Sequence, residues 1–366
     1  MNNSDYEKRK NIKMKKNIRN VSIFLLLIYL TFYFIFRGQN FQEILNLIGR
    51  VDIKFIVLAI IFMSFFVICD GFNIRKMLRN LNEKTTIWKC IKYSLIGFFF
   101  SAITPAASGG QPMQIYYMHK DNVKVENSTL TFLINLSCMQ VATISLALFN
   151  MIFNYKYMKL PMILLFILGI FLNLSALIFL LVAIFSRRVS KGIISFLVKV
   201  MRFFRIKDIE SKKEKLENGL QKYQKNAKEI RSRKRVIFKV LIRTYIQYIS
   251  LFSVTYFVYR ALGFNEYNMF NLIATQSVLY GTVSGIPLPG SVGASESAYL
   301  ALFEHIYKDK NLLETAMVVD RFINFYLLVA ISFIVAIIND IYVKVKYKKN
   351  KDINETEASK KIDSVE

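Results

Sequence analysis

Cysteine and histidine are scarce in this chain of 366 residues, and the motifs of common enzyme centres are missing from its sequence. The three cysteines, Cys69, Cys90 and Cys138, have neither CxxC nor metal-ligand spacing, and the two histidines, His119 and His305, stand alone. No HExxH, GxSxG or Walker motif and no Ser/His/Asp set accompanies them. We therefore expect no metal, no cofactor and no catalytic residue, and neither ATP-driven transport nor hydrolysis is supported within this chain.

Acidic residues are also few, since 25 Asp and Glu stand against 50 Lys and Arg, for a formal net charge of +25. In a soluble protein this charge would indicate a nucleic-acid partner. Here, however, 54% of the residues are hydrophobic. They gather into uncharged blocks such as residues 160–185, long enough to cross roughly 30 Å of hydrocarbon as a helix. The predicted fold class is therefore an all-α polytopic membrane protein whose partners are membrane lipids, and we expect no nucleic-acid partner.

The apolar blocks predict six full transmembrane helices and two interrupted regions. The interrupted regions, near residues 93–118 and 269–303, contain proline and glycine, and each of their apolar pieces is too short to cross by itself. We predict that both form re-entrant hairpins; the alternatives are kinked spans and surface loops. The six predicted spans are Val21–Phe36, Ile53–Cys69, Ser128–Phe153, Leu160–Phe185, Val236–Tyr259 and Ala316–Ile338.

Basic residues set the expected orientation, because short segments rich in Lys and Arg stay in the cytoplasm. We expect the basic N-terminus 1–20, the segment 187–235 and the tail 344–366 to be cytoplasmic, and the tail to be disordered. Counting spans from these segments, the first hairpin enters from the cytoplasm and the second from outside. This is the pattern of an inverted repeat, with repeats at residues 21–153 and 160–343.

The two hairpin tips are predicted to form the walls of a site, because irregular backbone at membrane depth is tolerated only where it is buried in protein or lines a cavity. Glycines there let a ligand approach the backbone, and each new helix starts with free N–H groups that favour an anion such as phosphate. The substrate-binding residues predicted in the tips are Thr104, Ser108, Gly109, Gly110, Gln111, Gln114, Pro289, Gly290 and Gly293.

Two charged residues complete the predicted site, since ionisable groups inside a membrane are costly and usually functional. Glu296, in the first turn of the second hairpin's returning helix, is expected to contact a cationic headgroup or a proton, with an N-terminal cap as the alternative. Arg321, inside the last span, is expected to bind a phosphate or pair with Glu296. Its alternatives are a pair with Asp320 or extension towards the membrane surface. Asp70 is interpreted as an interface anchor.

The segment 187–235 holds 17 Lys and Arg against 5 acidic residues, in a helical pattern. This composition predicts a cytoplasmic helical loop near anionic phospholipid headgroups. RNA binding is the alternative, although such charge runs are usually solvated surface.

Three segments, residues 104–118, 287–303 and 316–335, resemble the best-marked segments of the lysylphosphatidylglycerol synthase transmembrane-domain family. This family is the membrane part of the bacterial multiple peptide resistance factor proteins. In the second segment Glu296 matches the family pattern and Ser291 replaces a glycine. The resemblance covers almost the whole chain and implies a lipid translocase. Full-length members also carry a soluble domain that transfers lysine from aminoacyl-tRNA to phosphatidylglycerol. We expect no such transferase activity here, because the chain ends soon after its sixth predicted span.

The leading hypothesis is a flippase of the bacterial inner membrane that moves a phospholipid between leaflets. The resemblance implies lysyl-phosphatidylglycerol as a candidate lipid. One alternative is a component of lysyl-phosphatidylglycerol synthesis, and so of resistance to cationic antimicrobial peptides, acting with a separate synthase bound through the basic loop. A transporter of a polyprenyl phosphate or glycolipid is a second alternative, and a scaffold without transport is a third. Assembly as a homo-oligomer is compatible with each of these hypotheses.

Overall fold

The computed structural model describes residues 51–104, 107–203, 209–307, 309–341 and 343, and within these ranges all regular structure is helical. The predicted span Val21–Phe36, the N-terminal segment and the tail lie outside the described residues. Besides short turns, the described helices are α1 (Ile53–Asn80), α2 (Ile87–Ala102), α3 (Gly110–Lys120), α4 (Val125–Asn154), α5 (Leu160–Phe185), α6 (Arg187–Phe203), α7 (Ile209–Ser232), α8 (Lys234–Ala261), α9 (Met269–Val283), α10 (Ala294–Phe303) and α11 (Lys310–Ile341).

Five of these helices, α1, α4, α5, α8 and α11, are long and apolar enough to cross a membrane, and they coincide with five of the six predicted spans. Their outer surfaces carry the side chains expected to face lipid. On α5, for example, Leu164, Phe171 and Phe179 are 58%, 64% and 61% exposed. An apolar surface this extensive is unfavourable in water, so the chain is a multi-pass membrane protein.

Both interrupted regions form pairs of short helices, as expected from their prolines and glycines. The arms of the first pair have 16 and 11 residues, and those of the second have 15 and 10. At about 1.5 Å per residue no arm exceeds about 24 Å, which is shorter than the roughly 30 Å hydrocarbon core. Thr86 caps the start of α2, and Asn268 caps the start of α9.

The long helices and the helix pairs pack in a reciprocal arrangement. α1 and α8, which each precede a helix pair, form the most extensive helix contact in the described chain. Phe99 of α2 contacts Phe333 of α11, with ring centroids 5.3 Å apart. In the other half, a Cβ at Gly281 of α9 would lie 2.5 Å from the Cβ of Ala147 in α4. Each helix pair therefore packs on the long helix that follows the other pair.

Candidate functional site

Two adjoining cavities lie between the tips of the helix pairs. The polar cavity, of about 310 Å³, contains Asp70, Gln111 and Gln114 in its wall. The arginine cavity, of about 250 Å³, contains Gly290 and Arg321. These volumes are near the lower end of the range of roughly 300–1,000 Å³ for small-molecule sites. The two cavities share a wall formed by Phe66, Phe98, Ser101, Ala107, Tyr280 and Ser284.

The first tip, between α2 and α3, is braced by Thr104. Its hydroxyl donates to the carbonyl of Phe100 at 2.6 Å and accepts from the N–H of Gly109 at 2.9 Å. The neighbouring Ala107 has a positive φ of 54° and lies in the shared wall of the cavities. Thr104 therefore shapes the tip from within the turn, and Ala107 reaches both cavities.

The two glycines of the first tip allow close packing between α2 and α3. A Cβ at Gly110 would lie 2.0 Å from Ser101 Oγ and 2.7 Å from the carbonyl oxygen of Gly97. A Cβ at Gly109 would lie 2.7 Å from the methyl group of Thr104. The space beside both glycines is thus filled by protein, which gives them a packing role in this structure.

The predicted polar residues of the first tip divide between the cavity and the surface. Gln111 and Gln114 line the polar cavity, and Gln114 donates from Nε2 to the carbonyl of Tyr93 at 3.0 Å. Ser108 is exposed and lies outside both cavity walls. Of the three side chains, the two glutamines are placed to contact a molecule in the polar cavity.

The second tip, between α9 and α10, needs glycine at two positions. Gly290, in the short turn that Pro289 begins, has a φ of 57°, and a Cβ there would lie 2.3 Å from the ring of Phe325. Gly293 has a φ of 83°, in the left-handed region that glycine adopts without a steric cost. Its N–H donates to Glu296 Oε2 at 2.6 Å. The tip can therefore approach α11 closely, and its Gly290 carbonyl reaches Arg321 of that helix.

Glu296 and Arg321 form a buried ion pair at this tip. Arg321 Nε lies 2.9 Å from Glu296 Oε1, and the side chains of Arg321 and Glu296 are 10% and 15% exposed. Arg321 also donates from Nη2 to the carbonyl of Gly290 at 3.2 Å. Because the other oxygen of Glu296 accepts the Gly293 N–H, this carboxylate caps α10 and pairs with Arg321 at the same time.

The conformation of α11 helps to place the arginine. A π-helical turn, Phe322–Tyr326, follows Arg321 directly, and such turns are frequent at functional sites. The guanidinium carbon lies 4.6 Å from the centroid of the Phe325 ring, a cation–π contact. Asp320, which is 1% exposed, accepts instead from Thr255 at 2.9 Å and from Asn324 at 2.8 Å. The pair with Glu296 therefore replaces the alternative pair with Asp320.

Asp70, interpreted from the sequence as an interface anchor, lines an internal cavity. It lies about ten residues before the end of α1 and in the wall of the polar cavity, where it accepts from Ser94 Oγ at 2.6 Å. Three residues further along α1, Asn73 lines the same cavity and donates to Thr244 at 3.2 Å. A carboxylate directly after the apolar run of a predicted span was a signal in the sequence for a functional position.

Together, the long apolar helices, the interrupted helix pairs and the cavities define a multi-pass helical membrane protein. Its internal cavities contain an acidic residue, Asp70, and a basic residue, Arg321. The family model for the lysylphosphatidylglycerol synthase TM region matches residues 20–332, so the chain belongs to this family. It is also similar to UPF0104 membrane protein PH1989 of Pyrococcus horikoshii, with 27% identity over 297 residues, covering 78% of this chain and 87% of that protein.

Proposed function

We propose that this protein is a lipid flippase, which moves the headgroup of a phospholipid across the membrane through the polar and arginine cavities. The observation that carries the proposal is the position of Arg321. Arg321 lines an internal cavity together with Ala107 of the first tip and Gly290 of the second, and its guanidinium donates to the Gly290 carbonyl. A guanidinium binds phosphate oxygens with directed hydrogen bonds, and a low-dielectric site strengthens them.

The proposed mechanism needs no covalent chemistry. The lipid phosphate binds at Arg321, and the rest of the headgroup occupies the adjoining polar cavity, near Asp70 and Gln111. Glu296 holds Arg321 in place while the site is empty and contacts a cationic part of the headgroup or a proton when the lipid is bound. Rocking of one repeat against the other then opens the site to each leaflet in turn.

The helix packing supports the inverted repeat that this mechanism requires. Each half has a long helix, a pair of short arms and a second long helix, and each pair packs on the second long helix of the other half. In the proposed topology both pairs are re-entrant from opposite faces, and the basic termini lie in the cytoplasm of a bacterium. Labelling of single engineered cysteines from each side of the membrane checks these positions.

A scramblase assay tests the proposal. The purified chain is reconstituted into vesicles with fluorescent NBD-phosphatidylglycerol, and dithionite added outside reports the lipid that reaches the outer leaflet. We expect the wild type to exchange the lipid and Arg321→Ala to abolish exchange. Lys159→Ala is the matched control, because its ion pair with Glu304, at 3.0 Å, is solvent-exposed. Exchange at the wild-type rate in Arg321→Ala contradicts the site assignment.

Competition in the same exchange assay identifies the transported lipid. Lysyl-phosphatidylglycerol, the lipid in the family's name, is the first competitor, followed by a polyprenyl phosphate and a glycolipid. The strongest competitor identifies the transported class. Formation of lysyl-phosphatidylglycerol by the purified chain from charged tRNA would instead show an enzyme, against the proposal.

A further inference from the structure

The basic segment between α5 and α8 contains two helices with different surroundings. α7 is packed into the protein, where it buries Tyr223, Ala227 and Ile230 in a cluster with residues of α1 and α4. Asn226 of α7 donates to Asn127 at 2.6 Å. On α6, Val198 is buried, whereas Phe196 is 65% exposed. The segment is therefore not one uniform solvated surface.

α6 separates its charges from its apolar residues. All of its charged residues are basic. At about 100° per residue, Arg188, Lys191, Lys199 and Arg202 fall within an arc of about 80°, and all four are exposed. Phe196 lies about 100° from the middle of this arc. A helix with a purely basic polar face and an apolar remainder is typical of helices that lie in a membrane surface.

The connection from α5 places the start of α6 at the membrane surface. α5 ends at Phe185, and only Ser186, in an extended conformation, separates it from α6. Ser186 Oγ accepts from the N–H of Val189 at 3.4 Å at the start of the new helix. The C-terminal end of α7 lies beside the end of α5, since the guanidinium carbon of Arg231 is 5.4 Å from the centroid of the Phe185 ring. The α6 helix thus begins where a transmembrane helix leaves the hydrocarbon.

We propose that α6 is an anionic-lipid-binding helix, which lies in the interface of the leaflet where α5 ends. Phe196 inserts below the headgroups, and the basic face binds their phosphates. Charge complementarity identifies the occupant, because an anionic leaflet supplies both an apolar layer for Phe196 and negative charges for the basic face. α7 ties the helix to the transmembrane bundle through Asn226 and Asn127, whose Nδ2 donates in turn to Glu83 at 2.6 Å. This proposal does not depend on the flippase assignment.

Tryptophan fluorescence of the full chain in vesicles tests the proposal. The single native tryptophan, Trp88, is replaced by phenylalanine, and Phe196→Trp is introduced on this background. Vesicles contain either phosphatidylcholine alone or equal parts of phosphatidylglycerol and phosphatidylcholine, with dibrominated acyl chains as a membrane quencher and acrylamide as an aqueous one. The matched control is Lys222→Trp on the exposed face of α7.

We expect the brominated lipid to quench the Phe196→Trp variant, more strongly in the anionic vesicles, and acrylamide to quench the Lys222→Trp control. Each basic residue near an anionic surface contributes about fivefold to binding, so adding Lys191→Gln and Lys199→Gln should weaken docking roughly 25-fold. Quenching at position 196 by acrylamide alone would place α6 in water. Protection from both quenchers would place position 196 against protein, either the rest of this chain or a second copy. If brominated lipid quenched position 196 equally in neutral and anionic vesicles, binding of α6 would not require anionic lipid. Each of these three results overturns the proposal.

Discussion

Alanine substitution of Arg321 and Glu296, singly and together, should show that the two residues contribute jointly to the free energy of unfolding. We expect no such coupling for a solvent-exposed ion pair. The pair is 2.9 Å long and both side chains are at least 85% shielded, as their 10% and 15% exposure shows. Removing one partner of a buried pair costs about 3–5 kcal/mol, because the remaining charge stays buried without compensation. Because the two residues have different surroundings, we expect the two single substitutions to lower the free energy of unfolding by different amounts.

In Arg321→Ala, the carboxylate keeps the Gly293 N–H at 2.6 Å and the favourable N-terminal end of α10. We expect this variant to lose about 3 kcal/mol of the free energy of unfolding. Glu296→Ala leaves the guanidinium beside the Gly290 carbonyl and the Phe325 ring. It also removes the carboxylate at the start of α10, which adds about 1 kcal/mol, so we expect a loss of about 4 kcal/mol.

The double variant Glu296→Ala/Arg321→Ala leaves neither charge of the pair, so its loss should be smaller than the sum of the single losses by about 2–3 kcal/mol. The free energies are measured by SDS titration of the purified protein in mixed micelles, followed by far-UV circular dichroism. The control cycle is Lys159→Ala with Glu304→Ala, whose side chains are 81% and 62% exposed, and its coupling should stay below about 1 kcal/mol. Additive losses at the buried pair would refute the reasoning.

Two further predictions concern packing and pH. Gly110→Ala should lose about 1–3 kcal/mol in the same titration, because its Cβ would lie 2.0 Å from Ser101 Oγ and 2.7 Å from the Gly97 carbonyl oxygen. Gly219→Ala, in α7 and with no atom within 4 Å of the added Cβ, is the matched control and should be neutral or stabilising; equal losses would contradict the packing role. Burial lowers the pKa of His305, which stacks on Tyr157 with ring centroids 3.9 Å apart. Because the unfolded chain then binds a proton more readily, stability should fall as the pH drops below about 6.5. Unfolding measured between about pH 5 and 7.5 should depend less on pH in His305→Phe, and identical profiles would contradict this.

The sequence determined the membrane class and most of the helix limits, because these depend on local composition. α5 begins at Leu160 and ends at Phe185 as predicted, since it is an uncharged run of sufficient length. Glu296 was expected in the first turn of the helix after the second tip, and this helix begins at Ala294. Glycine and proline act through their own backbone restrictions, so their effect on the chain can be predicted without knowing its neighbours.

Only the tertiary structure decided what the residues of the site contact. Gly110 has the same sequence signature whether it faces a ligand or another helix, and its place against Ser101 follows from the angle between α2 and α3. An N-terminal cap and a pair with Arg321 were both among the predicted roles of Glu296, and it makes both contacts because α11 brings Arg321 to the start of α10. Asp70 lies in the cavity wall, where it accepts a hydrogen bond from Ser94, a residue 24 positions away in sequence. Such contacts join distant parts of the chain, and therefore no local pattern encodes them.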